Sequence, residues 1–195
     1  MLTKKRSTDK IQFYTTGKPW KKIGTKTLVE LGEVRLYEDK LVSRTGIRNN
    51  HLRLMLHDFS IIVPLLSNNR LVVEWNYRHV TGGWELELPA GLIEKGESPL
   101  DCAKRELQEE TGYTGSNWKK AGWVHTLPGI TGQKAFVFLA RNLKPGPSRR
   151  EASEMMRIET VSVREAYRML RAGLIVHAPT VVGLSLAQKE LERSR

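Results

Sequence analysis

The sequence predicts a mixed α/β fold, and three observations carry that prediction. Short apolar stretches separated by turn residues fill the chain up to about Leu88. At Ser98 the period changes to that of a helix. Strand-like stretches then return ahead of two more helical segments, so strands stand before, between and after helices. That order suits a mixed sheet layered between helices.

The elements follow in chain order. The first 25 or so residues are polar and basic, with Tyr14 and Trp20 isolated among them, and read as a flexible arm. Thr27–Val42 alternates loosely and gives two short strands around a turn at Gly32. Strands follow at His51–His57 and Phe59–Leu66, then a turn at Ser67–Arg70 and a strand at Leu71–Arg78. Thr81–Gly83 is another turn, and "WELELPAG" begins as a strand that Pro89 and Gly91 end. Ser98 is placed as an N-cap, Pro99 in the first turn, and Asp101 at the positive end of the helix dipole. This helix runs to about Thr111 and stops at Gly112. Two strands, "AGWVHTL" and "KAFVFLAR", precede a loop at Pro145–Glu154. The strand "RIETVS" leads into a helix over Val163–Ala172, and an amphipathic helix covers Pro179–Glu192. Residues 1–56 thus form an arm with an N-terminal strand extension, and residues 57–195 the main domain.

Bulk properties narrow the class. A chain of 195 residues fits one domain with a small appended element. No stretch approaches the roughly 18 consecutive apolar residues of a membrane helix, and "MLTKKRSTDK" lacks the apolar core of a secretory leader. The single cysteine, Cys102, forms no internal disulfide and suits a reducing cytoplasm. The net charge of +11 favours polyanions: nucleic acid, nucleotides or phosphate-rich metabolites. The basic residues are dispersed and not interleaved with aromatics, so a solvated basic surface is favoured over a dedicated nucleic-acid patch.

Against that basic background, "GLIEKGESPLDCAKRELQEETGY" (Gly91–Tyr113) concentrates acids. On a helical wheel Leu100, Ala103, Leu107 and Thr111 share one face, suited to packing on a sheet. Glu106 and Glu110 project side by side with Glu109 next to them, and Arg105 precedes Glu109 by four. Clustered carboxylates repel one another unless neutralised. A hard divalent cation, Mg²⁺ or Mn²⁺, does this with oxygen ligands; the plainer reading is a solvated face with i,i+4 pairs.

The spacing resembles the Nudix box: Gly91, five residues, Glu97, seven residues, then Arg105-Glu106-Leu107-Gln108-Glu109-Glu110-Thr111-Gly112-Tyr113. Only Tyr113 departs, being aromatic where an aliphatic residue is usual, at a packing position. The resemblance implies the Nudix fold, a mixed β-sheet sandwiched between helices, and hydrolysis of a nucleoside diphosphate linked to another group. It implies Mg²⁺ as cofactor, with Mn²⁺ the alternative, held by Glu106, Glu109, Glu110 and the backbone carbonyl of Ala90. It gives Glu109 a further part in orienting water, and Arg105 and Glu97 a brace between loop and helix.

Outside the box, Pro128 lies fifteen residues after Tyr113, a feature of the ADP-ribose pyrophosphatase group. The similarity to that group extends from about Thr27 to Leu191. It implies ADP-ribose as the small-molecule substrate, AMP and ribose 5-phosphate as products, and Arg78, Glu87, Gly91, Pro128 and Gly129 as the substrate-binding set. It also implies a catalytic glutamate from the 145–154 loop, Glu154 before Glu151, and a homodimer in which N-terminal strands help build the partner's site. Tyr37, Tyr14 and Trp20 are candidates for the adenine contact. Other readings stay open: another nucleoside diphosphate sugar such as GDP-mannose or UDP-glucose, cap removal from RNA, or RNA binding.

Overall fold

The computed structural model describes residues 18–148 and 155–193. The chain divides into two compact units, residues 1–54 and 55–195.

In the N-terminal unit β1 (Trp20–Leu31) and β2 (Val34–Ser43) form an antiparallel hairpin turned at Gly32, and β3 (Arg48–Met55) completes a sheet ordered β1-β2-β3. Gly32 has φ 55°, a left-handed value that glycine adopts without strain. β1 corrects the expectation of an arm over the first 25 or so residues, because Trp20–Thr25 is already strand. Its Lys21, Lys22, Gly24 and Thr25 offer no apolar alternation, yet they pair with Val42, Leu41, Lys40 and Asp39. Backbone pairing needs no apolar side chain, so the sequence signal was absent. For the same reason β3 begins at Arg48, ahead of the expected His51. Tyr14 lies outside the described residues.

One buried acid ties this sheet together. Asp39, 5% exposed, accepts from Arg53 Nε at 2.6 Å, Arg53 Nη2 at 3.2 Å and the Thr25 hydroxyl at 2.7 Å. The Arg53 guanidinium also lies 4.4 Å above the Tyr37 ring. The Arg53 hydrogen bonds lower the Asp39 carboxyl from 3.8 to about 2. A depressed carboxyl stabilises the fold above its ordinary value, and the contribution is lost as pH falls through the folded value. The β1–β2 amide shifts are therefore expected to hold down to pH 3.8 and to collapse together with the Asp39 carboxyl titration near pH 2. An ordinary Asp39 titration near 3.8, followed by ¹³C NMR, would contradict this.

The larger unit contains β4 (Phe59–Pro64), β5 (Arg70–Arg78), β6 (Gly83–Glu87), β7 (Ala90–Leu92), α1 (Pro99–Thr111), β8 (Tyr113–Thr114), β9 (Asn117–His125), β10 (Lys134–Arg141), β11 (Lys144–Pro145), β12 (Met156–Ser162), α2 (Val163–Arg171) and α3 (Ala178–Glu192). A mixed sheet runs β7-β4-β10-β9, with β4 parallel to β10 and the other pairs antiparallel. An antiparallel sheet runs β12-β5-β6, and β11 pairs with β8.

β4 explains the layering. Successive strand side chains point to opposite faces. Ile61 and Val63 pack in the cluster that holds Leu184, Ala187 and Leu191 of α3, while Ile62 packs with Ala103 and Leu107 of α1. The mixed sheet is thus sandwiched between α1 and α3, and a strand covered on both faces reads as the continuous apolar run "SIIVP". β7 was not expected, since Pro89 and Gly91 read as breakers. It is a three-residue edge strand in which Gly91 pairs with Ser60. Among the described residues no helix is long and apolar enough to cross a membrane.

Candidate active site

α1 starts where its local chemistry dictates. The Ser98 hydroxyl accepts from the Asp101 N–H at 3.2 Å, Pro99 opens the first turn, and Gly112 ends the helix with φ 75°. Burial of Ala103 and Leu107 against Ile62, Phe138 and Ala140 fixes the rotation of the helix. Cys102, Glu106 and Glu110, one turn apart, then form a stripe facing β7.

Each member of the stripe meets β7 backbone. The Cys102 thiol donates to Gly91 O at 3.3 Å and Leu92 O at 3.5 Å, and burial pushes its pKa up to about 11. It is a packed donor rather than a nucleophile. Glu106 lies directly against Gly91: a Cβ there would overlap its carboxylate, so any larger residue would push the glutamate aside. Glu110, 7% exposed, accepts the Ala90 N–H at 3.1 Å through Oε2.

Arg105 binds the neighbouring acids. Its Nε and Nη2 donate to the two Glu97 oxygens at 2.9 and 3.0 Å, and Nη2 also reaches Leu92 O at 3.0 Å. Its Nη1 donates to Glu106 at 2.7 Å and Glu109 at 3.1 Å. Such bidentate charged pairs are short and directional. The Arg105 hydrogen bonds lower the Glu97 carboxyl below its ordinary range, and the same bonds raise Arg105.

Arg78 and Glu87 approach from the other sheet. They end β5 and β6, which are joined by a turn at residues 79–82. Glu87 is only 2% exposed, and Arg78 donates to it through Nε at 2.7 Å and Nη2 at 2.5 Å. The Arg78 side chain remains 47% exposed, and its Nη1 has no hydrogen-bond partner among the described residues. Arg78 shares a cleft of about 290 Å³ with Ala90, Gly91, Leu92 and His177.

The sequence-derived set therefore falls into groups. Glu97, Arg105, Glu106, Glu109 and Glu110 meet around β7 with Ala90 and Gly91, and Arg78 with Glu87 faces the same backbone across the cleft. Pro128 and Gly129 sit in an exposed turn that does not line the cleft; Gln133, at the end of that loop, does. Glu151 and Glu154 lie outside the described residues. Tyr37 lies beneath Arg53 in the N-terminal unit, and Trp20 there is 39% exposed. His177 was missed: its one sequence signal, a position just ahead of the Pro179 helix start, marks a cap rather than a cleft residue.

The donor chemistry fits a hard cation, since Glu106, Glu109 and Glu110 offer only oxygen. In the arrangement seen, Arg105 engages Glu106 and Glu109, and the contact from Ala90 to Glu110 is through its N–H. Among the described residues, no group of three or more His, Cys, Asp or Glu side chains converges as a metal cage. A cation at this site would share these carboxylates with Arg105, which engages Glu106 through Oε1 and Glu109 through Oε2.

An α/β sandwich whose loop–helix–loop sets an arginine among glutamates, against a glycine-bearing edge strand, defines the Nudix class. The chain belongs to that family: the NUDIX domain model matches residues 56–181. It is 29% identical over 129 residues to an ADP-ribose pyrophosphatase of Bacillus subtilis, covering 65% of this chain and 70% of that protein. It is 32% identical over 126 residues to an ADP-ribose pyrophosphatase of Mycobacterium tuberculosis, covering 63% and 61%. A CMP-5'-(N-acetyl-N-hydroxy-3-aminopropyl)phosphonate hydrolase of Streptomyces rubellomurinus is 32% identical over 127 residues, covering 64% and 61%. The aligned stretch thus spans between 61% and 70% of these relatives' own length. The fold is shared with the crystal structure of an ADP compounds hydrolase, with TM-score 0.82 and 21% identity over 90% of this chain and 96% of that one.

Proposed function

We propose that this protein is a divalent-metal-dependent hydrolase that cleaves the pyrophosphate bond of ADP-ribose to AMP and ribose 5-phosphate. The observation that carries this reading is the convergence of two opposite charges on one strand. The Glu106 and Glu110 stripe lies on one side of Ala90–Gly91, and Arg78 opens onto the cleft at the other. The ADP-ribose pyrophosphatases among the relatives support the choice of substrate.

Glu106, Glu109 and Glu110, with the Ala90 carbonyl, would hold Mg²⁺ or Mn²⁺. Such an ion neutralises phosphate charge and lowers the pKa of water. Arg78 binds phosphate or ribose oxygens with the guanidinium edge that Glu87 leaves open. Gly91 lets the substrate and Glu106 approach the same backbone. The Glu97–Arg105 pair keeps the loop seated on α1. Glu154 accepts the proton of the attacking water, and Gln133, from the loop that carries Pro128 and Gly129, borders the substrate. We infer a homodimer built through the N-terminal sheet, whose outward Ile23, Val29, Leu31 and Leu52 are exposed. One buried cysteine is consistent with a cytoplasmic location.

A second reading, a different nucleotide-linked substrate, is favoured by the equally similar phosphonate hydrolase. Incubation with ADP-ribose, GDP-mannose, UDP-glucose, a CMP-linked phosphonate and capped RNA, with Mg²⁺ or Mn²⁺, decides between them. AMP and ribose 5-phosphate are the expected products. Intact ADP-ribose beside cleavage of another member would overturn the substrate assignment. Tight, salt-dependent RNA binding without turnover would overturn the hydrolase itself.

A further inference from the structure

We propose that His177 is a positioning residue: its ring, fixed by Thr180, steadies the Glu87 carboxylate so that Arg78 is presented to the cleft. The inference rests on the reading of Arg78 as a substrate-binding residue.

His177 occupies the N-cap of α3, yet its side chain makes no capping hydrogen bond. Its ring is engaged elsewhere. Nδ1 lies 3.0 Å from the Thr180 hydroxyl, and that oxygen accepts the Leu88 N–H at 2.8 Å. Thr180 is 1% exposed, so its hydroxyl has few other partners. While accepting from Leu88, the hydroxyl can also donate its own proton to Nδ1, the arrangement that the proposed role requires. The neutral ring then carries its own proton on Nε2. Nε2 is the atom that faces Glu87 Oε2, at 3.6 Å. Burial lowers the His177 pKa, so the ring is neutral at neutral pH.

Glu87 has reason to need a second donor. Its cross-strand partner on β5 is Glu74, and both are buried, at 2% and 1% exposure. Acids directly opposite on one face of a sheet repel. Arg78 uses both Glu87 oxygens, so rotation of that carboxylate breaks one of its two bonds. At 3.6 Å the His177 contact is longer than a hydrogen bond and acts as an oriented dipole toward Oε2. It approaches from α3, whereas Arg78 approaches from β5. The carboxylate is thereby held between two elements, and Thr180 ties the same helix end to Leu88, next in the chain.

Two substitutions separate positioning from helix capping. Asparagine is the better N-cap, but its amide reaches only the place of Nδ1. Glutamine caps poorly, but its amide reaches the place of Nε2. His177→Asn is expected to raise KM for ADP-ribose about tenfold with kcat nearly unchanged, as loss of uniform binding does. His177→Gln is expected to restore most of that loss. In an Arg78→Ala background, His177→Asn is expected to add nothing. The ¹⁵N spectrum should show the His177 proton on Nε2, and the Arg78 Nε–H resonance should move in His177→Asn but not in His177→Gln. A harmless asparagine with a harmful glutamine, a proton on Nδ1, or an unmoved Arg78 resonance would overturn the proposal. The spectroscopic results stand even if ADP-ribose is not the substrate. An active enzyme with an unmoved Arg78 resonance would overturn the positioning role alone.

Discussion

Replacing Glu110 with glutamine is expected to lower kcat/KM for ADP-ribose by about 10³-fold, or roughly 4 kcal/mol of transition-state stabilisation. The amide is isosteric with the carboxylate and keeps an oxygen that can accept the Ala90 N–H, now made at 3.1 Å. The seat of α1 on Ile62, Phe138 and Ala140 does not involve position 110. What is removed is one negative charge facing β7, and with it one of the proposed ligands for a divalent cation. Steady-state kinetics across a Mg²⁺ titration, with a thermal melt beside them, make the test. An unchanged melt with collapsed activity is the expected outcome. Retention of more than a tenth of wild-type kcat/KM would remove Glu110 from the ligand set.

Gly91→Ala is expected to have the second-largest effect, a loss of about 10²-fold in kcat/KM, since small displacements of a reacting geometry can cost that much. The added methyl would occupy the space of the Glu106 carboxylate. The backbone cannot easily retreat, because Gly91 pairs with Ser60, Leu92 pairs with Phe59, and the Cys102 thiol binds Gly91 O at 3.3 Å. The glutamate must move instead, and its 2.7 Å bond from Arg105 with it. Overpacking of this kind typically costs about 1–3 kcal/mol of stability. Glu106→Gln added to Gly91→Ala should cost little more, because both changes disable the same carboxylate. Full activity in Gly91→Ala would mean that the close approach of Glu106 to β7 is not required for catalysis.

How much of this was legible varied with the range of the interaction. α1 could be read to the residue at both ends, since Ser98, Pro99, Asp101 and Gly112 each act on their own turn of helix. The Glu97–Arg105 pair was expected from the resemblance to the Nudix box rather than from spacing alone, and the two residues do bond, at 2.9 Å. β7 was not legible: three residues flanked by proline carry no periodicity, and their strand character comes from pairing with β4, about thirty positions earlier. The start of β1 was hidden because its pairing with β2 is made by backbone under polar side chains. The Arg78–Glu87 bond spans a hairpin, so the chemistry of each residue could be read but not the pairing. His177 was least visible, since its neighbours Glu87 and Leu88 arrive from another sheet and its position suggests only a cap.

Arg105 has a consequence for how the protein is made. Its single guanidinium touches Glu97, Glu106 and Glu109, so the acidic helix brings a tethered counter-ion of its own. Part of the repulsion among these carboxylates is thereby offset within the chain. A structural zinc site works the other way, drawing its folding energy from the ion. A cation bound here as proposed would join a scaffold whose carboxylates already share one guanidinium.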